Sequence, residues 1–198
     1  MPLTEQAWTT LAFNKIPKNS VTFVDQQLKV KVKQSAGPII YKLPKPAKIL
    51  EFSINGKVVG SKKTETQKFD EDSVLRFGLV AVGSKFLSGP KRWLAADWVK
   101  KLFDLAPAGV GLDKIYFYNF TNRNELMNQT RPHPKSDLII ETLSFFQETE
   151  GPFSVKKTFT SPIYTAALWI SIDGDDTKSD YETHISEISL VTEQISGK

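Results

Sequence analysis

No cysteine occurs among the 198 residues, so disulfides, thiolate catalysis and cysteine-ligated zinc are all excluded. Compartment stays open on this ground, because disulfide-free proteins occur on both sides of a membrane. Histidine is nearly as scarce, with two residues. His133, in RPHPK, sits between prolines in an expected exposed loop, and His184, in YETHIS, opens a strand; structural roles are expected for both. No stretch approaches the ~20 apolar residues of a membrane-spanning helix. The start, MPLTEQAWTTLAFNKIP, has no basic segment followed by an apolar one, as an export signal would. A mature exported chain whose signal had been replaced by Met1 would read the same. The motifs HExxH, GxSxG and GxGxxG and the phosphate-binding loop are also missing, which removes the common signatures of metalloproteases, serine hydrolases and nucleotide enzymes. The net charge of +4 comes from 26 basic and 22 acidic residues spread along the chain. Nucleic-acid binders gather such charge on one face, so no nucleic-acid partner is expected.

What the chain does have is an alternation of period two. In QLKVKVKQ, Leu28, Val30 and Val32 point one way and Lys29, Lys31 and Lys33 the other, the pattern of a half-buried strand with a solvated lysine row. Further strands are expected at 20–25, 38–43, 47–56, 73–83, 114–120, 136–144, 153–159, 166–173 and 184–192, separated by the turn sequences QSAGP, LPKPAK, NGK and TEGP. About ten short strands with 40% hydrophobic residues predict one domain over residues 1–198, all-β, an antiparallel jelly-roll sandwich. A more open barrel is the alternative.

One segment departs from period two. SGPKRWLAADWVKKLFDLAPAG places Pro90 in a first helical turn and repeats apolar residues at Leu94, Trp98 and Leu102 and at Ala95, Val99 and Phe103, ahead of Pro107 and Gly109. The spacing predicts an amphipathic helix near residues 90–106. Its tryptophans and leucines suit packing against an end of the sandwich through Trp98 and Leu102, with a lid over a groove as the alternative.

Near the C-terminus ALWISIDGDDT joins a strand to an acidic knot. Leu168, Ile170 and Ile172 share the core face, leaving Trp169, Ser171 and Asp173 on the other. An EF-hand beginning at Asp173 fails, because the sixth position is Lys178 instead of glycine and the twelfth is His184 instead of glutamate. Asp-Gly-Asp-Asp is ordinary turn chemistry. A looser calcium site on Asp173, Asp175 and Asp176 is the secondary reading, since calcium accepts irregular oxygen ligands. No other cofactor is expected.

The order of KNSVTFVDQQLKVKVKQSAGPIIYKL, KILEFSINGK, DEDSVLRFGLVAVG, KIYFYNF and ALWISIDGDDTKSDYETHISEISL resembles an uncharacterised bacterial β-sandwich family akin to carbohydrate-binding-module, galactose-binding-like jelly rolls. The resemblance implies an arginine-bearing strand mid-chain, an Asp-rich turn before the last strand, and a non-catalytic protein that binds a glycan or similar polar ligand. Compartment is not set by the sequence; a periplasmic or secreted setting is expected if an export signal has been replaced by Met1. The helix at 90–106 is not part of the usual module. Sugar rings stack their C–H faces on flat side chains while polar groups take the hydroxyls. If alternation aligns the central strands, Glu51, Ser53, Asn55, Arg76, Tyr116, Tyr118, Glu141 and Trp169 share one face, and Glu51, Arg76, Tyr118, Glu141 and Trp169 are the expected ligand-binding set. Two alternatives remain. One is a glycan-active hydrolase or lyase using Glu51 and Glu141; the other is an interaction domain without a small ligand. Oligomeric state is not set by the sequence.

Overall fold

Two long strands organise the molecule. In a computed structural model, which describes residues 1–63, 72–95, 97–106, 109–133, 136–147 and 150–193, β4 (Ala36–Val59) pairs antiparallel with β9 (Gly151–Asp173) from Ala36↔Asp173 to Val58↔Gly151. The sequence suggests two strands in each of these places. They run on as one because the interruption only bends them: the register slips between Lys42 and Ala47 and again between Ile49 and Glu51. Pro44 and Pro46 lie in the first slip, where prolines, lacking an N–H, can sit without breaking a regular ladder.

The two halves of this ribbon enter different layers. The second half of β4 pairs with β10 (Asp180–Thr192), which pairs with β3 (Gln27–Lys33), which pairs with β2 (Ser20–Val24). The first half of β4 pairs with β1 (Thr9–Thr10), and the end of β9 pairs with β5 (Arg76–Gly83), followed by β6 (Gly111–Thr121), β8 (Ser136–Phe146) and β7 (Thr130–His133). Phe52 of β4 meets Phe77 of β5 at 4.6 Å between ring centroids and Tyr118 of β6 at 5.5 Å. These strands are not sheet neighbours, so the sheet folds over and the rings meet across the two layers. The expected antiparallel jelly-roll sandwich carrying a helical insertion is therefore what forms. One pairing, β6 with β8, is parallel; β7 lies between them in sequence and takes the far edge of β8.

The alternation in QLKVKVKQ translates directly into burial: Leu28, Val30 and Val32 are 0–1% exposed, and Lys31 reaches Glu182 at the surface. Leu168, Ile170 and Ile172 are fully buried in the same core. The helical insertion follows β5 but divides into α1 (Gly89–Leu94) and α2 (Asp97–Leu105), because Ala95 adopts an extended conformation and Asp97 opens a new first turn. Leu102 is buried, with Trp98 and Phe103 beside it, against Val80, Leu112, Ile115, Phe117 and Trp169. The helix thus covers the outer face of the second layer, where the sequence suggested an end of the sandwich.

Phe52 is fully buried and contacts Phe77, Tyr118, Phe145 and Phe159. Phe52→Ala should lower the unfolding free energy by about 3–5 kcal/mol. Lys31→Ala, which removes a surface pair, should change it by less than about 1 kcal/mol. Urea unfolding midpoints compare the two directly, and equal midpoints would refute this packing.

Candidate ligand cleft

The outer face of the second layer is built by alternation across four strands. In register, Arg76 of β5 stands between Asn119 of β6 and Ser171 of β9, and Gly78 stands between Phe117 and Trp169. Phe117 is in turn opposite Glu141 of β8. Gly78 leaves room for its neighbours: a Cβ there would lie 2.7 Å from the Phe117 ring. Phe117 and Trp169 consequently approach edge to face at 6.1 Å, and Trp98 of α2 closes on Trp169 at 5.9 Å, also edge to face.

A cleft of about 650 Å³ opens beside these rings. Phe13 and Ile16, from the segment before β2, and Trp98 from α2 form its walls together with Phe117, Ile139 and Trp169. Arg76, Ser171, Asp173 and His133 supply polar groups, and Asp72, Asp175 and Asp176 line the acidic end. His133 closes β7 and is half-buried at the cleft, where the sequence suggested an exposed loop.

Arg76 holds the polar part together. Its Nη1 lies 3.3 Å from Glu141 Oε1 and its Nε 3.3 Å from Asp173 Oδ2, with the side chain 11% exposed. Glu141 is 1% exposed and also accepts hydrogen bonds from Asn119 Nδ2 at 3.2 Å and Arg131 Nε at 3.3 Å. Burial pushes the Glu141 carboxyl up, but the charges of Arg76, His133 and Arg131 and the Asn119 amide outweigh it and hold the group below the ordinary carboxylate range. Asp173 goes the other way. Burial raises it and Asp175 and Asp72 reinforce the rise, so that even with Arg76 and the Ser171 hydroxyl opposing, it is pushed up to about 6. Asp175 is raised as well, by burial first and then by Asp72 and Asp176.

Past Asp173 the chain makes the turn that delivers it into β10. The turn is tied down by a residue that sequence reasoning did not single out. Asp72 accepts hydrogen bonds from the Asp176 amide at 3.2 Å, the Thr177 amide at 2.6 Å and the Thr177 hydroxyl. Asp72 lies 104 residues from Asp176 in sequence, so nothing local to the turn pointed to it. Among the described residues no three histidine or carboxylate side chains form a group that could hold a metal ion. Asp173 faces Arg76 and Ser171, while Asp176 presents its backbone amide to Asp72.

Of the five expected ligand-binding residues, Arg76, Glu141 and Trp169 come together here. Glu51 does not join them. It lies on the outer surface of the first layer, accepting a hydrogen bond from Thr158 Oγ1 at 2.7 Å with Lys156 at 3.4 Å, and these contacts hold its carboxyl below the ordinary range. Glu51 and Glu141 therefore face opposite sides of the sandwich. Tyr118 turns into the core, 8% exposed, against Phe52 and Phe159, and burial pushes its hydroxyl up to about 12. The reason is parity: the residue opposite Arg76 on β6 is Asn119, so Phe117 and Asn119 share its face and Tyr116 and Tyr118 take the other. Phe117, Trp98, Ser171 and Asp173 are among the cleft residues that the expected binding set lacks.

No sequence-family profile matches the chain, and no curated protein matches it. Among solved structures it is similar to PfGH50B, at 15% identity and a TM-score of 0.35, covering 94% of this chain and 23% of that one. The chain thus spans less than a quarter of that protein's length. It is also similar to a family 11 carbohydrate-binding module from Clostridium thermocellum in complex with a β-1,3-1,4-mixed-linked tetrasaccharide, at 8% identity and a TM-score of 0.40, covering 93% and 88% of the two chains. A third similar structure is the VIP36 exoplasmic/lumenal domain in its Ca2+/Man3GlcNAc-bound form, at 9% identity and a TM-score of 0.39, covering 98% and 89%.

Two stability measurements check the site's electrostatics. Asp72→Ala strands the Asp176 and Thr177 amides and should cost about 1.5–3 kcal/mol in urea unfolding; no loss would contradict the tie. For Asp173, the native state binds the proton more tightly than the unfolded chain between 3.8 and about 6. Its contribution to stability is greatest below that window and is lost as pH rises through it. Asp173→Asn should flatten the pH dependence of stability in this window, and an unchanged slope would contradict the assignment.

Proposed function

We propose that the protein is a non-catalytic binding protein whose cleft takes a glycan or a similar hydroxyl-rich ligand. The observation that carries the reading is the joint placement, in one cleft of about 650 Å³, of the aromatic wall Trp98, Phe117 and Trp169 with the fixed polar groups Arg76, Ser171 and Asp173. Sugars need both: C–H faces against rings, and hydroxyls met by charged or hydroxyl side chains already held in position. Arg76 is suited to this because its two carboxylate contacts orient the guanidinium before any ligand arrives. In this reading the chain acts as one unit, outside the cytoplasm, on glycans met there.

A glycan-active hydrolase is the second reading, favoured by one observation: Asp173 is pushed up and Glu141 held down in the same site, the divergence expected of an acid and a base. The geometry argues for binding instead. Glu141 is 1% exposed and its oxygens are engaged by Arg76, Asn119 and Arg131, leaving it no access to a substrate.

A glycan array followed by calorimetry on the best binder tests the proposal. Trp98→Ala, on the cleft wall, should weaken binding tenfold or more, about 1.4 kcal/mol or above, in a protein that remains folded by circular dichroism. Glu51→Gln, on the opposite layer, should leave affinity unchanged. Binding lost with Glu51→Gln and kept with Trp98→Ala would move the site elsewhere, and release of shorter sugars from the bound glycan would replace the binding reading with the hydrolase.

A further inference from the structure

Three of the exposed large apolar side chains stand out by degree. Phe86, Trp93 and Leu94 are 60%, 81% and 74% exposed, while every other exposed large hydrophobic residue among those described is 50% or less. All three belong to the insertion between β5 and β6. α1 buries no residue at all, so a helix that carries a tryptophan and a leucine contributes neither to the core. α2 behaves differently, since it spends Leu102, Trp98 and Phe103 on the sheet. The apolar side chains of α1 are therefore not explained by the packing of the fold. Scattered exposed apolar residues are ordinary, but large ones side by side, as Trp93 and Leu94 are on α1, mark a contact surface.

The charge around them selects the partner. From Lys85 to Asp104 the insertion carries five basic residues, Lys85, Lys91, Arg92, Lys100 and Lys101, against the two acidic residues Asp97 and Asp104. Ion pairs take up part of this charge, Asp97 with Lys100, Asp104 with Arg92 and Asp113 of β6 with Lys85, and the insertion keeps a net charge of +3, five basic residues less two acidic. Lys91 and Arg92 directly precede Trp93. A negatively charged lipid surface fits on both counts. Basic groups are drawn to anionic headgroups, and an indole with an apolar body and a polar N–H rests at the headgroup level. Among the described residues no helix is long and apolar enough to cross a membrane.

We propose that Trp93 and Leu94 of α1, with Lys91 and Arg92 on the same helix and Phe86 earlier in the insertion, form a docking surface for an anionic membrane. The surface is independent of the glycan reading, and its test uses no glycan. The full chain is sedimented with vesicles of phosphatidylcholine alone and with vesicles containing phosphatidylglycerol as well. Binding is expected only to the anionic vesicles and should fall as salt is raised. The double substitution Trp93→Ser with Leu94→Ser, at exposed positions that leave the melting temperature unchanged, should weaken it about tenfold or more. Lys91→Glu with Arg92→Glu should also weaken it. No binding to anionic vesicles, or binding untouched by the Trp93→Ser and Leu94→Ser pair, would overturn the proposal. So would self-association of the protein in solution that this pair abolishes, which would assign the patch to a second copy.

Discussion

The pairing of β4 with β9 is the constraint on which the rest of the structure depends. These strands run alongside each other through two register slips, and because each half then recruits different neighbours, one ribbon seeds both layers. The upper half collects β5, β6 and β8 beside β9; the lower half collects β10 and β3 beside β4. Parity along β9 does the remaining work. With Leu168, Ile170 and Ile172 committed to the core, Trp169, Ser171 and Asp173 are obliged to face outward, and the cleft begins with that obligation.

Electrostatics then decide what the cleft can hold. A guanidinium and two carboxylates removed from water are costly unless their geometry compensates. Here the cost is unevenly met. Glu141 is surrounded by Arg76, Arg131 and Asn119 and stays ionised, while Asp173 is raised, by burial first and then by Asp175 and Asp72. The arrangement stabilises Arg76 in one orientation at the expense of the acidic end. A polar residue held rigid beside aromatic walls suits recognition, where a preorganised site loses less freedom on binding.

Much of this was legible in the sequence, and the parts that were not share a cause. Strand periodicity placed Leu28, Val30 and Val32 in the core and Trp169 on the outer face because side-chain direction follows from position within a strand. Register between strands is a different quantity. Tyr118 was aligned with Arg76, yet Asn119 is the residue opposite it, and an error of one position moves a side chain to the other side of the sheet. Glu51 was grouped with Glu141 for a similar reason, since nothing in the local sequence says which layer a strand joins. Asp72 was not legible at all: its contact with Thr177 is made entirely by the closing of the fold. The helical insertion was visible from its apolar spacing, but its division at Ala95 and its seat on a sheet face were set by what it packs against.

In the proposed function ligand enters the cleft between α2 and the outer face of the second layer, and tryptophan side chains report on it directly. The chain has four: Trp98 and Trp169 line this cleft, Trp93 is exposed on α1, and Trp8 borders a separate groove beside β2 and donates its indole N–H to the Pro2 carbonyl at 2.9 Å. Indole N–H resonances followed by NMR during titration with a bound glycan distinguish the two places. The account predicts that the signals of Trp98 and Trp169 shift with the binding curve while that of Trp8 stays in place. A titration in which Trp8 moves and Trp98 and Trp169 do not would contradict it.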